Sequence, residues 1–371
     1  MHALPSIVVT REDLIQSLIP ERVRQGGAYQ VPDATGMIKL DAMENPYQWP
    51  ESLRADLAER LAHIAFNRYP DPQANGVRGP LREFMNIPDE LEMLFGNGSD
   101  EIIALLIANL IGSERSVCAP DPSFVMFQVL ANQYSVPFRA LPLDASLDID
   151  LTGWMDGLVD ADPALIFIPQ PNNPTGNLFS KDRLTEIVES TQALVVIDEA
   201  YTAFTDADFL DWAVTYPNVV VMRTLSKVGL AGSRFGMLIG HPDWISEFEK
   251  TRLPYNINIL SQTAVQYALE HASILNEQSQ RIRQERSRLT LGLSERGFEV
   301  WPSEANFVVM GCRANQARPL FDALKGHRIL VKCLDGSHRR LKDTLRVTVG
   351  APEETDALLA ALDHLAAEFG R

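Results

Sequence analysis

Cysteine is scarce. Cys118, Cys312 and Cys333 are the only three in 371 residues, and they lie far apart. An odd number at that spacing excludes a disulfide framework and a cysteine metal knuckle, and fits reduced thiols. Long apolar runs are also missing: no stretch reaches the ~20 residues needed to span a bilayer. The opening MHALPSIVVTREDLI lacks the charged-then-apolar order of a secretory signal. These absences give the expectation of a cytoplasmic protein with no membrane partner. Basic residues are outnumbered, 33 Lys and Arg against 49 Asp and Glu, for a net charge of −16. An acidic surface repels phosphate backbones, so no nucleic acid is expected as a partner. A few well-placed Arg and Lys residues can still build a local anion site. The seven histidines show no metal-ligand spacing, so no metal is expected, and there is no internal repeat.

What is present is a chain long enough for two or three packed units. Leu14, Ile15, Leu18 and Ile19 fall at helical spacing and predict an amphipathic opening helix over 11–25. From about residue 94, short apolar runs alternate with helical stretches. GNGSDEIIALLIANLIG is a glycine turn opening a helix, with Ser99 or Asp100 as its cap. SVCAP, ALIFIP, LVVID and VVVMRT are strands ended by prolines or polar residues. That alternation predicts α/β architecture with a mostly parallel sheet. After about 255 the pattern changes to one long helix, from 260 to about 296, followed by short strands and a closing helix. This is an α+β pattern and predicts a second, smaller domain. The basic stretch KCLDGSHRRLKDT, 332–344, is expected to be an exposed loop.

In open α/β sheets, ligands bind beyond the carboxyl ends of the strands. The unusual polar residues fall there. Lys227 follows VVVMRT; alone it would pass for a surface charge. Thr224, Ser226 and Arg234 around it offer hydroxyls and a guanidinium fork suited to a phosphate dianion. A lysine beside a bound aldehyde can attach to it and later shuttle protons. Asp198 ends LVVID. It could simply cap a helix, or its carboxylate could keep a pyridine nitrogen protonated. Tyr201 could donate a phenolic hydrogen bond to a ring oxygen. Asn173 sits in NNPTG, which is a good turn in its own right, and could offer an amide to the same oxygen. Ser99 and Asp100 present helix N-terminal amides to an anion. Phe124 could stack on a planar ring or belong to the core.

Together, in this order, these segments resemble the fold-type I pyridoxal-5'-phosphate (PLP) enzymes, the aspartate-aminotransferase-like superfamily. Within it they are most similar to the histidinol-phosphate aminotransferase family. The carrying segments are LDAMENPY, RYPDP, GNGSDEII, PNNPTGNLFS, VVIDEAYTAF, RTLSKVGLAGSRFG, RLPYNINILSQ and LRVTVG. The resemblance implies a large PLP-binding domain over 40–255, built on a seven-stranded type of mostly parallel sheet. It implies a small domain over 256–371 and an N-terminal arm over 1–39. It implies PLP on Lys227, Asp198 at the pyridine nitrogen, and Asn173 and Tyr201 at the ring oxygen, with Lys227, Asp198 and Tyr201 as the catalytic set. Phe124 would face the ring. Thr224, Ser226, Arg234 and the amides of Ser99 and Asp100 would hold the cofactor phosphate. Tyr69 would reach the phosphate of a neighbouring subunit, making a homodimer. Arg346 would bind the substrate's anionic end, with Lys332 beside it, and Tyr47 would help close the pocket.

The implied reaction is transamination between L-histidinol phosphate and 2-oxoglutarate, giving imidazole-acetol phosphate and L-glutamate. Two departures stand out. Met43 occupies a position where a polar residue is common. Lys332 stands where many relatives carry arginine, keeping the charge but losing the bidentate fork. Three other readings share the scaffold: an aromatic amino acid aminotransferase, a PLP-dependent decarboxylase of a phosphorylated amino acid such as threonine phosphate, and a ligand-sensing regulator. The last would need a DNA-binding domain, and the sequence shows no helix-turn-helix.

Overall fold

The computed structural model describes residues 10–27, 31–110, 112 and 114–369. Its opening helix, Arg11–Leu18, starts at a reciprocal cap. The Thr10 hydroxyl accepts from the Asp13 N–H, and the Asp13 carboxylate accepts from the Thr10 N–H. The single helix expected over 11–25 is in fact two. Pro20 has no N–H to continue the ladder, and a separate turn, Glu21–Arg24, follows it. Leu14, Ile15, Leu18 and Ile19 are exposed on this arm.

Strand β1 (Ile38–Lys39) comes next. The large sheet then takes β2 (Glu92–Asn97), β3 (Ser116–Asp121), β4 (Phe138–Pro142), β5 (Pro163–Pro169), β6 (Leu194–Asp198), β7 (Val219–Thr224) and β8 (Phe235–Gly240). Their order across the sheet is β2-β8-β7-β6-β5-β3-β4. β8 runs antiparallel to both its neighbours, and the other pairings are parallel. Side chains alternate between the two faces. Val195 and Ile197 of β6 join one apolar layer, while Leu194 and Val196 join the other. A sheet covered on both faces needs such continuous apolar strands.

The remaining strands are β9 (Glu299–Val300), β10 (Phe307–Gly311), β11 (Ile329–Leu330), β12 (Lys332–Cys333) and β13 (Thr344–Thr348). β12-β13-β10-β9 form an antiparallel sheet, and β11 pairs in parallel with β1. Their core takes in Phe307, Val347 and Leu358, and also Leu40, Met43 and Tyr201. The long helix expected over 260–296 divides at His271 into Ile259–Glu270 and Ala272–Glu295. The first part packs on Asn75–Phe84, and the second buries Ile282, Leu289 and Leu293 under the small sheet. The stretch 332–344 is more than an exposed loop. It contributes β12, buries Leu341, and sends Arg340 to the carbonyls of Leu143 and Asp144 on the large-sheet side.

Candidate active site

The carboxyl ends of β2, β3, β5, β6 and β7 bring the site together, because parallel strands place their exits on one edge. β6 ends at Asp198, which is 6% exposed. Its Oδ1 accepts from the Ala200 N–H at 3.0 Å. Burial pushes this carboxyl up to about 7. The Ala200 N–H and Lys227 pull against that shift, while Asp100 and Glu199 add to it.

Lys227 lies in the tight turn Ser226–Leu230 that follows β7. Gly229 in this turn has φ 119°, a conformation side chains avoid, and a Cβ there would press on the Asn45 amide. Burial pulls the Lys227 amine down to about 8, and the charges of Arg346 and Arg234 act in the same direction. Its Nζ stands 5.8 Å from the centre of the Tyr201 ring. Burial also pushes the Tyr201 phenol upward, opposed by Arg346 and by a hydrogen bond with Asn173. The Oδ1 of Asn173 accepts from Arg346 Nη1 at 2.6 Å, which leaves Nδ2 as its donor. Phe124 is half-buried and meets Phe127 edge-on at 5.5 Å, so it serves the core as well as the site. Ser99, Phe124, Asn173, Asp198, Tyr201 and Lys227 line one cavity. Met43 lines it too, although its sequence context pointed to no role at the site.

Beside the cavity lies an anion cradle. The helix Ser99–Ala108 begins at Gly98, with φ 81° and no side-chain cap. The cap expected from Ser99 or Asp100 is therefore not made, and the first amides of the helix stay open to a ligand. A Cβ at Gly98 would collide with the Arg234 guanidinium. Arg234 Nη1 reaches Ser226 Oγ at 3.4 Å, and Thr224 Oγ1 donates to the same oxygen at 3.0 Å. Arg234 Nη2 also lies 3.4 Å from Asp100 Oδ2. Hydroxyls, open amides and a guanidinium thus converge on one point, as a phosphate requires.

These features fit a phosphorylated pyridine aldehyde. The cradle suits its phosphate. The buried Asp198 carboxyl, held high by desolvation, suits a cationic ring nitrogen. The buried low-pKa amine suits attachment to an aldehyde.

Arg346 is 8% exposed, and its Nη2 donates to the Asp41 carbonyl at 3.0 Å. Lys332 is exposed and stands directly opposite Arg346 in the β12–β13 register, so the two cations share a face. Tyr47 lies outside the cavity lining, half-buried under the Arg281 guanidinium at 4.0 Å. Tyr69 is 80% exposed and stacks on Tyr255 at 4.6 Å, away from this chain's own cavity. Sequence reasoning missed Arg223 and Glu199, a buried ion pair beside the site at 2.7 Å. Their place next to Thr224 and Asp198 was the available signal.

The family model for aminotransferase class I and II matches residues 35–362. Histidinol-phosphate aminotransferase 2 of Nitrosococcus oceani is 43% identical over 355 residues, 95% of this chain and 98% of that protein. Histidinol-phosphate aminotransferase 1 of Ralstonia nicotianae is 41% identical over 367 residues, 97% of this chain and 98% of that protein. Among solved structures, the histidinol-phosphate aminotransferase of Sinorhizobium meliloti in complex with pyridoxal-5'-phosphate superposes with a TM-score of 0.83. It does so at 22% identity, over 95% of this chain and 98% of its own. This chain belongs to the class I and II aminotransferases, and within them to the histidinol-phosphate aminotransferases.

Proposed function

We propose that this protein is a PLP-dependent aminotransferase that moves the amino group of L-histidinol phosphate to 2-oxoglutarate, releasing imidazole-acetol phosphate and L-glutamate. The carrying observation is the meeting of Lys227 and Asp198 in one buried cavity beside an anion cradle. The name shared by the relatives supports the substrate.

When bound, PLP supplies an electron sink for the negative charge that develops at the substrate's α-carbon. Lys227 would hold it, with Asp198 at the ring nitrogen, Asn173 Nδ2 and the Tyr201 hydroxyl at the ring oxygen, and Phe124 against the ring. Thr224, Ser226, Arg234 and the amides of Ser99 and Asp100 would take its phosphate. In the cofactor-free protein burial lowers the Lys227 Nζ to about 8, which favours the neutral amine that attaches to an aldehyde. Lys227 can take the proton from the substrate's α-carbon and give it back as a general acid. Arg346 binds the substrate phosphate in one half-reaction and a carboxylate in the other, with Lys332 as a second, mobile cation.

The functional unit is a homodimer in which Tyr69 reaches the other subunit's cofactor phosphate. Its exposure, with Phe66, Leu253 and Tyr255 also exposed, supports a covered surface there. Among the described residues no helix is long and apolar enough to cross a membrane, and we place the enzyme in the cytoplasm.

The test is spectroscopic. Purified protein with PLP should show the visible band of lysine-bound cofactor. L-histidinol phosphate alone should abolish that band, and 2-oxoglutarate should restore it. A band that ignores histidinol phosphate but answers phenylalanine would overturn the substrate. A band that survives in Lys227→Ala would overturn the site.

A further inference from the structure

Met43 holds a backbone conformation that few side chains adopt, with φ 52°. Non-glycine residues in this region are uncommon and persist where the surroundings over-determine them. Here the surroundings do so from both sides. The Met43 N–H donates to Thr348 Oγ1, and the Met43 carbonyl accepts from Asn306 Nδ2, each at 3.0 Å. Both partners are buried, Asn306 fully. Thr348 ends β13 opposite Phe307, the residue that follows Asn306, so the two clamps belong to one paired region of the small sheet.

The clamped backbone sets the direction of the side chain. Met43 lines the cavity that also holds Lys227, Asp198 and Asn173. Two residues earlier, the Asp41 carbonyl accepts from Arg346 Nη2. The segment carrying Met43 is thus tied to the guanidinium that would grip the substrate's anion. A substrate held at Arg346 and reacting at Lys227 would therefore lie across a cavity that Met43 helps to line.

We propose that Met43 is a specificity-determining residue, its thioether forming the wall against which the amino donor's flat ring packs. This rests on the histidinol-phosphate reading above. Thioether sulfur makes favourable contacts with aromatic rings, and an unbranched chain with three rotatable bonds adapts its shape. The site needs both properties, because the same space must next admit a dicarboxylate acceptor that has no ring. The plainer alternative is that Met43 only fills the small core, where it also packs.

Three variants separate the two roles. Met43→Gly removes the side chain and relieves the backbone. Met43→Asn tolerates the same φ and adds polarity. Met43→Leu keeps an apolar chain of similar size. The two half-reactions are measured separately, with histidinol phosphate and with glutamate as donor, alongside the melting temperature of cofactor-free protein and its affinity for PLP. We expect kcat/KM for histidinol phosphate to fall about 10- to 100-fold in Met43→Gly and Met43→Asn, the range for a lost apolar pocket contact. Glutamate should stay within threefold, Met43→Leu should stay close to wild type, and PLP affinity should not change. Because Met43 also packs in the small core, Met43→Gly should lower the melting temperature, so the split between the two donors carries the test. Equal losses with both donors would leave Met43 as core filling and overturn the proposal. Unchanged rates with histidinol phosphate would also overturn it, while leaving the proposed function intact. A wild-type enzyme that reacts with glutamate and not with histidinol phosphate would sink both.

Discussion

Arg346 donates through Nη1 to Oδ1 of Asn173 at 2.6 Å, with both side chains buried. This bond fixes which way the Asn173 amide faces, and so leaves Nδ2 for its neighbour Tyr201 and, in the proposed reading, for the cofactor's ring oxygen. The residue proposed to grip the substrate therefore also orients one proposed to hold the cofactor. Arg346→Lys keeps the charge but loses the planar fork. A hydrogen bond to a charged group is worth about 1.5 to 3 kcal/mol, so kcat/KM for both substrates should fall by about 10- to 100-fold. PLP affinity should also weaken, by a smaller factor. Steady-state rates and a PLP titration check this. Unchanged PLP affinity would mean the bond orients nothing.

The two buried ionisable groups give the cofactor-free protein a pH profile of known sign. Lys227 titrates at about 8 when folded, below its ordinary 10.5. Between those values the unfolded chain binds a proton that the folded chain does not, so stability rises with pH. Asp198 titrates at about 7, above its ordinary 3.8. Between those values the folded chain binds the extra proton, so stability falls as pH rises. As far as these two groups go, the protein is weakest between about pH 7 and pH 8, where both are charged and buried. The gain in melting temperature on adding PLP should therefore be greatest there. Asp198→Asn should flatten the acid limb of the cofactor-free profile, and Lys227→Met the alkaline limb. Profiles that keep both limbs in these variants would rule out the assignment.

The strand-end residues were legible because each follows an apolar run whose period and length already mark a strand. Asp198 after LVVID and Lys227 after VVVMRT are examples, and the sheet's parallel logic then gathers them. Other features depend on partners remote in sequence. The Met43 backbone is set by Asn306 and Thr348, and nothing local foretells it. β8 was missed because Gly236 and Gly240 lie within its six residues and weaken the local strand signal; its pairing with β2 and β7 makes it a strand. Pro20, by contrast, was a local signal that the helical spacing of Leu14, Ile15, Leu18 and Ile19 masked. The expected cap at Ser99 or Asp100 gave way to Gly98, whose positive φ lets the chain turn under Arg234.

Arg223 and Glu199 clasp two adjacent strand ends. Arg223 Nε donates to Glu199 Oε2 at 2.7 Å, and Nη2 to Asp208 Oδ2 at 2.9 Å. Arg223 directly precedes Thr224, and Glu199 directly follows Asp198. Burial holds the Glu199 carboxyl above its usual range even though Arg223 pulls it down. Breaking a buried pair by removing one partner costs about 3 to 5 kcal/mol, whereas replacing both by apolar residues can be neutral. Arg223→Met should therefore lower the melting temperature sharply, and adding Glu199→Met should restore much of it. If the clasp also holds the strand ends in register, kcat should stay low in the double variant while stability returns. Recovery of both together would mean the pair serves stability alone.

Arg340 ties the small sheet to the edge of the large one. Its Nη2 and Nη1 donate to the carbonyls of Leu143 and Asp144, each at 2.7 Å. Two residues earlier, His338 Nε2 lies 3.2 Å from Asp121 Oδ2, at the end of β3 and just before Phe124. His338 Nδ1 accepts from the Arg340 N–H at 3.1 Å, so Nε2 carries the proton in the neutral ring as well. The contact with Asp121 therefore does not depend on a charged imidazole. This latch sets the small sheet, and Arg346 with it, over the cavity. Arg340→Met should raise KM for both substrates about 3- to 10-fold, consistent with roughly 1 kcal/mol of lost hydrogen bonding, and leave PLP affinity unchanged. His338→Gln, which keeps a donor, should stay closer to wild type than His338→Ala. Equal losses in the two His338 variants would show that the donor to Asp121 is not the connection. A loss of PLP affinity in Arg340→Met would place the latch's effect on the large sheet instead.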